Sequence, residues 1–304
     1  MKTDNEFDRE DLNWSHPRTS ELRDIDEQIS RHPGKRLMNR LDELRRVLDA
    51  WAGFSMMLSD LLRACENEDK FAVELLRNVG DQTGRQTIVR ALDQATIAYV
   101  AGLGAVIEHT RSVVNKQSEG VKSEYGGRTA ALVEKHPAAP FLGKLRNYVL
   151  HNVAAPWEFS GSFGEQATCR IALTSEVLLE DKKSWNAEAR NFIVASGKSI
   201  QLSPLLTPYM EAMVEHVGLV IPAVIRENEA SLDECNALIK KRNLLLTDGV
   251  SDGSDWEARM AHITENFKRV KRGERQTDFR TGEEMSADGG ANGQRNKTPP
   301  FEKL

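Results

Sequence analysis

Six consecutive residues, Arg146-Asn147-Tyr148-Val149-Leu150-His151, combine side chains that could carry out chemistry on a phosphodiester. Arginine carries a permanent positive charge and binds phosphate oxygens through a planar set of N–H donors. Histidine titrates near neutral pH, so it can accept or donate a proton. One group would hold the phosphate and the other would move the proton. No other segment of the sequence indicates a reaction as clearly.

The same segment has the apolar periodicity of a packed helix. With about 100° between successive residues, one side of the helix collects Leu142, Leu145, Tyr148 and Val149. Asn147 and His151 are four residues apart, so they share a face that points away from this apolar side. Arg146 lies between the two sides, and its long side chain can swing toward His151. The pattern predicts a helix over Phe141–His151 that carries a polar cluster.

The spacing of arginine and histidine is not informative by itself. The sequence has 25 arginines and 7 histidines among 304 residues. Roughly 1.7 pairs with four to six intervening residues are therefore expected by chance. Arg9 and His16 also match, in a polar segment beside Pro17. Asn147 and His151 therefore have a second interpretation, as solvent-facing or capping residues near Pro156.

Two basic clusters are candidates for contact with a nucleic-acid backbone. Lys144 accompanies Arg146 at the start of the predicted motif helix. The second cluster consists of Lys268, Arg269, Lys271, Arg272 and Arg275 at the end of the last predicted helix. A row of cations can track phosphates, but a solvated helix end has the same composition. Both interpretations of the second cluster stay open.

Other kinds of site have little support in the sequence. There is no GxxxxGK[ST] phosphate loop, no GxGxxG after a strand, and no histidine pair at metal-ligand spacing. We therefore expect no cofactor and no metal. His109 is expected to be a helix-end or surface residue, and His216 a packed or rim residue. Cys65, Cys169 and Cys235 are too far apart for a disulfide framework, and Cys65 and Cys235 are expected to be core thiols in a reducing compartment.

The elements that must position these residues are mostly helical. We predict a mainly α-helical bundle with a small β-hairpin insertion. Its parts are a polar arm over 1–35, a helical bundle over 36–250 with the hairpin at about 157–180, and a short helix and disordered tail over 251–304. Within the arm we expect at most a short helix near Ser20–Ser30.

The positions of glycine and proline, together with the apolar periodicity, predict where the elements of the bundle begin and end. Long amphipathic helices are predicted from Lys35 to Leu62 and from Thr87 to Gln117; the second is rich in small residues that let another helix approach closely. The other predicted features are a helix over 69–78, a chain break at Gly126-Gly127, one or two helical turns over 128–135, extended chain over 159–163 and 167–179 with room for a third strand, a helix over 205–228 kinked or broken at Pro222, and helices over 231–246 and 255–270.

Composition limits the location and the partners. A net charge of −5 argues against a general nucleic-acid coat protein, although a cleft on an acidic protein can still be basic. The acidic, polar N-terminus does not resemble a signal peptide. The longest apolar stretch, Ile97–Ile107, is too short to cross a bilayer. We expect a cytoplasmic protein with no membrane partner.

The segment Phe141-Leu-Gly-Lys-Leu-Arg-Asn-Tyr-Val-Leu-His151 resembles the signature of the HEPN superfamily. That signature is an arginine followed by a polar residue and, after four to six residues, a histidine, within a helical bundle. The resemblance covers about residues 87–245, and its specific part is the motif.

The resemblance implies a metal-independent endoribonuclease that acts as a homodimer, with each cleft drawing motifs from both subunits. Arg146 would neutralise the scissile phosphate, Asn147 would orient the phosphate or the imidazole, and His151 would be the general acid or base. RNA would be the substrate, because attack by the 2′-hydroxyl leaves a cyclic phosphate. A toxin or phage-defence role would add an antitoxin protein as a neutralising partner.

Two other functions remain open at the level of the sequence. One is a non-catalytic HEPN-like module that binds RNA, a nucleotide or a protein partner, since fold does not fix function. The other is a helical interaction protein in which the motif arises by chance.

Overall fold

In a computed structural model of the protein, the structure describes residues 17–77, 80–152, 154–163, 167–246, 253, 255–278 and 282–284. The helices of these residues are α1 (Pro17–Arg31), α2 (Pro33–Asn67), α3 (Asp69–Leu76), α4 (Thr83–Val114), α5 (Glu119–Lys135), α6 (Ala139–Asn152), α7 (Ser175–Glu180), α8 (Ala187–Ala195), α9 (Ser203–Glu227), α10 (Glu229–Leu246) and α11 (Trp256–Lys271). The strands are β1 (Trp157–Phe163), β2 (Ala167–Thr174) and β3 (Ser199–Ile200). The prediction of a mainly α-helical fold with a small β insertion is confirmed.

The chain divides into two compact units. The larger comprises His32–Asp233, and the smaller comprises Met1–Arg31 with Glu234–Leu304. In the larger unit α2 packs along α4 and α9, and α6 packs between α4 and α8. Its largest fully buried side chains include Trp51, Tyr99, Phe141, Leu44 and Leu58. The long amphipathic helices predicted from the apolar period therefore form one shared core.

Small residues of α4 let its neighbours approach closely, as the sequence predicts. A Cβ atom on Gly102 would lie 3.1 Å from Trp51 Cδ1 of α2. A Cβ atom on Gly104 would lie 2.7 Å from Arg146 Cδ of α6. The two glycines therefore let α4 pack closely against both α2 and α6.

The sheet is a hairpin with a short third strand. β1 and β2 pair antiparallel from Trp157↔Leu173 to Phe163↔Ala167, and β2 pairs with β3 at Leu173↔Ile200. Burial alternates from Thr168 to Ile171 along β2, and Ile171, Ala172 and Leu173 are then all buried. A hairpin is marginal alone, and this one packs on α2 and α3.

The second half of the predicted extended segment is helical. The sequence favours extended chain to residue 179, but β2 ends at Thr174 and α7 begins at Ser175. The apolar run at 177–179 fits either structure by periodicity, and Leu178 is fully buried from the helix. α8, which follows, is absent from the sequence prediction.

The predicted break at Gly126-Gly127 is wrong. α5 runs through both glycines without interruption, from an N-cap in which the Ser118 hydroxyl accepts a hydrogen bond from Val121 N–H. Two helical glycines cost about 1 kcal/mol each relative to alanine, which a helix packed on α9 tolerates. α9 likewise continues through Pro208 and Pro222, so a break at Pro222 is also wrong.

α1 is longer than the short helix expected in the polar arm, and it buries Ile25 and Ile29. α11 agrees with the helix predicted over 255–270. Residues 285–304 of the tail predicted as disordered lie outside the described residues.

α9 is the one helix among the described residues that is long and apolar enough to cross a membrane by length and composition. It contributes Leu206, Val217 and Val224 to the core and packs against α2, α4 and α5. Burial against neighbouring helices is the normal environment of a core helix of this composition.

The cysteines are buried and unbridged, in agreement with the expectation of core thiols for Cys65 and Cys235. Burial raises the pKa of the Cys65 and Cys169 thiols to about 11. Both groups are therefore protonated, weakly reactive thiols at neutral pH.

Candidate functional site

The apolar side of α6 anchors the motif helix. Leu142, Leu145, Tyr148 and Val149 are all buried, as predicted. Trp185 stacks on Phe141 at a ring-centroid distance of 5.6 Å and on Tyr148 at 5.5 Å. The Trp185 Nε1–H group donates a hydrogen bond of 2.7 Å to the carbonyl oxygen of Leu178. These contacts fix the rotation of α6, so its polar face is directed away from the core.

The polar face of α6 borders a cavity of about 300 Å³ within the larger unit. α4, α5, α8 and α9 supply the remaining walls. Lys144, Arg146 and Asn147 all line the cavity. Three of the residues predicted for the site are therefore brought together at one concave surface. Its volume is at the lower end of the range for small-ligand pockets.

Arg146 reaches the cavity across the surface of α4. Its guanidinium stem passes over Gly104, where an added Cβ would lie 3.0 Å from Nη1 and 3.1 Å from Nε. Among the described residues, none forms an ion pair or side-chain hydrogen bond with Lys144, Arg146 or Asn147. Their donors remain available to a ligand.

The other charged residues of the cavity are Glu108, Arg111 and Glu188. Arg111 pairs with Glu108, with 3.4 Å between Nη1 and Oε1. Glu188 accepts a hydrogen bond of 2.9 Å from the side-chain amide of Asn186. The cations of the cavity without carboxylate partners are therefore Lys144 and Arg146 of α6, whereas Glu188 of α8 keeps its negative charge. The α6 side is the more positive side of the cavity.

Two helix N-termini face the same space. Ala139 and Pro140 in the first turn of α6 line the cavity, as does Asn186, the N-cap of α8. The first turn of a helix carries a partial positive charge. The Ala139 N–H already donates to the carbonyl oxygen of His136, and Pro140 has no N–H group. The N-terminus of α6 therefore adds only its partial positive charge to the charges of Lys144 and Arg146.

A buried histidine lines the cavity. His216 of α9 is 7% exposed, and its ring lies 5.2 Å from the ring of Tyr125 of α5. Its Nε2 is 3.4 Å from the hydroxyl of Thr129. Burial, with a smaller contribution from the positive charge of Arg128, lowers the pKa of His216. The imidazole is therefore neutral at pH 7, consistent with the packed or rim position expected from the sequence.

The third motif residue is placed only by its backbone. α6 continues through residue 151 to Asn152, so position 151 lies one turn beyond Asn147 on the same face of the helix. The side chain of His151 lies outside the described part of the structure. Its proximity to Arg146 remains a prediction.

The second basic cluster lies on α11, in the smaller unit. Arg269 pairs with Glu284 at 3.1 Å, and Arg272 pairs with Glu265 at 3.0 Å and with Glu274 at 2.7 Å. Lys268 is 3.8 Å from Glu265. These pairs favour the interpretation as a solvated helix end. A role of Lys268, Arg269, Lys271 and Arg272 in RNA binding stays a prediction.

Sequence reasoning did not find the cavity residues on other helices. Gly104, Arg111 and Tyr125 precede the motif by many residues, and His216 follows it on α9. Only the packing of α4 and α5 against α6, and of α9 against α4 and α5, brings them to the motif. No local spacing in the sequence carries that information.

Among the described residues, no group of three or more His, Cys, Asp or Glu side chains is arranged to hold a metal ion. Comparisons of the chain with protein-family models, with curated proteins and with solved structures give no significant match in any of the three.

Proposed function

We propose that this protein is a HEPN-type endoribonuclease that cleaves RNA by attack of the ribose 2′-hydroxyl. The observation that carries the proposal is the cavity lined by Lys144, Arg146 and Asn147, whose donors have no partners among the described residues. A concave surface with two unpaired cations and a helix N-terminus suits a phosphate.

In the proposed mechanism Arg146 binds the non-bridging oxygens of the scissile phosphate and stabilises the extra negative charge of the transition state. Asn147 donates an amide hydrogen bond that orients the phosphate. His151 removes the proton of the 2′-hydroxyl, whose oxygen attacks phosphorus. The bond to the 5′-oxygen breaks, and that oxygen takes a proton from a general acid. The products are a 2′,3′-cyclic phosphate and a 5′-hydroxyl.

A second histidine is needed, because one imidazole cannot be the base and the acid in the same step. We propose that the motif of a second subunit supplies it, which makes the homodimer the active form. RNA, and an antitoxin protein if the chain is a toxin or phage-defence effector, are the proposed partners, and the cytoplasm is the proposed location.

The decisive experiment is incubation of the purified protein with a mixed RNA pool in the presence of a chelator. We expect cleavage that leaves 2′,3′-cyclic phosphate ends and spares DNA of the same sequences. His151→Ala and Arg146→Gln should each lower the rate at least about 100-fold. The matched controls are His109→Ala, at an exposed histidine of α4, and Arg190→Gln, at an exposed arginine of α8. Both should cleave at the wild-type rate.

A non-catalytic binding module is the second candidate, and one feature of the cavity favours it. The cavity lining includes Tyr125, Tyr209 and His216, which the cleavage mechanism does not use. Aromatic residues beside a phosphate-binding edge suit a nucleotide. An RNA pool left intact by the wild-type protein, together with nucleotide binding that Arg146→Gln weakens and His151→Ala does not, would select this candidate.

A further inference from the structure

The smaller unit exposes an apolar stripe on α11. Met260, Ile263, Phe267 and Val270 are 41%, 45%, 66% and 50% exposed. They are separated by three, four and three residues. This spacing places all four on one side of the helix and matches the seam of a two-helix coiled coil over two heptads. Large apolar side chains grouped in this way mark an interaction surface.

The charged residues of α11 indicate which partner helix could pack on the apolar stripe. Arg259, Glu265, Lys268 and Arg269 are all paired within this unit. Glu257 and Lys271 have no ion pair or side-chain hydrogen bond among the described residues. Lys271 directly follows Val270, and Glu257 directly follows position 256, which the same heptad assigns to the seam. Both side chains would therefore flank the apolar stripe of a partner helix. One lies at each end of α11.

A second copy of α11 in antiparallel orientation satisfies all of these groups. Met260 then meets Val270 of the other copy, and Ile263 meets Phe267 of the other copy. Glu257 of each chain lies beside Lys271 of the other, which gives two symmetry-related ion pairs. A parallel arrangement leaves these charges about 21 Å apart, at 1.5 Å per residue. We propose that two copies of this chain associate through an antiparallel pairing of their α11 helices.

This inference concerns the smaller unit and does not rest on the ribonuclease proposal. The ribonuclease proposal also requires a homodimer, but through a contact that brings two motif helices together. Pairing through α11 is a separate contact, which substitutions on α11 test by themselves. The interface is small, so the dimer should be reversible.

The first test is sedimentation of the full chain at concentrations up to the order of 100 μM, a range in which a weak interface associates. We expect wild type to dimerise with rising concentration. Phe267→Glu should raise the dissociation constant about tenfold or more, because it places a charge in the centre of the seam. The matched control is Ala258→Glu, which adds the same charge at an exposed position of α11 outside the seam.

The second test addresses the antiparallel orientation. Glu257→Lys and Lys271→Glu should each weaken self-association by about three- to tenfold, since each replaces attraction by repulsion at two symmetric positions. A mixture of the two variants should associate more tightly than either alone. The mixture separates pairing from loss of the helix-dipole interaction, because that loss is the same in the mixed and the homotypic dimers.

Monomeric wild type at every concentration would overturn the proposal, and it would also contradict the homodimer of the proposed ribonuclease. A Phe267→Glu dimer as tight as wild type, or equal weakening by Ala258→Glu, would also overturn it. A mixture no tighter than its components would refute the antiparallel orientation. Circular dichroism of each variant checks that α11 stays helical.

Discussion

At the scale of single residues, Gly104 decides where the guanidinium group of Arg146 lies. The two residues are on different helices, and the stem of Arg146 occupies the space that any side chain at position 104 would fill. The atoms in conflict are at the flexible end of an exposed arginine, so a larger residue would displace Arg146 rather than the helix backbone. The position of the proposed phosphate clamp therefore depends on a residue without a side chain.

Gly104→Ala should weaken RNA binding about three- to tenfold, because the displaced Arg146 loses part of a charge-assisted contact. Gly53→Ala in α2 is the matched control, since Gly53 does not line the cavity. It also gains helix propensity of about 1 kcal/mol, and its Cβ would have no heavy atom within 4 Å. Titration with a non-cleaved 2′-deoxy-substituted oligonucleotide measures both affinities. Equal affinities for the two variants would show that Gly104 does not position the clamp.

The buried His216 predicts a pH dependence of stability. Its lowered folded-state pKa means that the unfolded chain takes up the proton first as pH falls below about 6.5. The free energy of unfolding should therefore fall between pH 6.5 and pH 5, and this loss should be smaller in the non-titrating variant His216→Gln. Urea unfolding at pH 7, 6 and 5 measures the difference. Parallel pH profiles for both proteins would contradict a neutral, buried imidazole.

The residues of the motif could be predicted from the sequence, whereas their surroundings could not. Arg146 and Asn147 stand in a short local pattern on a helix whose apolar side is evident from its period. Gly104 and His216 acquire their roles only through tertiary packing. A glycine in a helix rich in small residues carries no local sign that an arginine will lie across it.

At the scale of the elements, α5 has two consecutive glycines in its interior, Gly126 and Gly127. Both are exposed, and an added Cβ on either would have no heavy atom within 4 Å. Each glycine increases the conformational entropy of the unfolded chain and weakens the helix.

Gly126→Ala and Gly127→Ala should each stabilise the protein by up to about 1 kcal/mol. Gly80→Ala is a control with an effect of opposite sign on stability. Gly80 has φ +90°, a conformation that alanine adopts only with strain. The substitution should be destabilising. Urea unfolding followed by circular dichroism gives the three values. A destabilised Gly126→Ala variant would mean that α5 bends at this point.

The longest helices that sequence reasoning recovered have a long, regular apolar period, whereas the eight-residue α3 is predicted from the glycine that follows it, Gly80. α2, α4 and α6 each repeat this period over several turns, so uncertainty about where each helix begins and ends does not hide it. α7 has six residues and α8 has nine. In segments this short, periodicity does not separate helix from strand, and contacts with the rest of the fold decide.

At the scale of the whole molecule, the larger unit is a continuous stretch of chain, His32–Asp233, with its own core and with the candidate cavity. We expect a fragment of these residues to fold alone, with a single cooperative unfolding transition. It should still bind the same oligonucleotide, and its affinity relative to the full chain measures what the basic cluster of α11 contributes. An unfolded fragment would contradict an independent core. A folded fragment with much weaker binding would place part of the RNA site on the smaller unit.

The stacking of Trp185 against α6 makes the indole an optical reporter of the motif helix. Trp185 is nearly buried, and its ring lies beside Tyr148, which belongs to the six-residue motif. Indole emission shifts with the polarity around the ring, and its intensity changes when a stacked neighbour moves. A ligand that displaces α6 on binding would therefore change the intrinsic fluorescence of the unlabelled protein, and the time course of that change would give association and dissociation rates in a stopped-flow instrument.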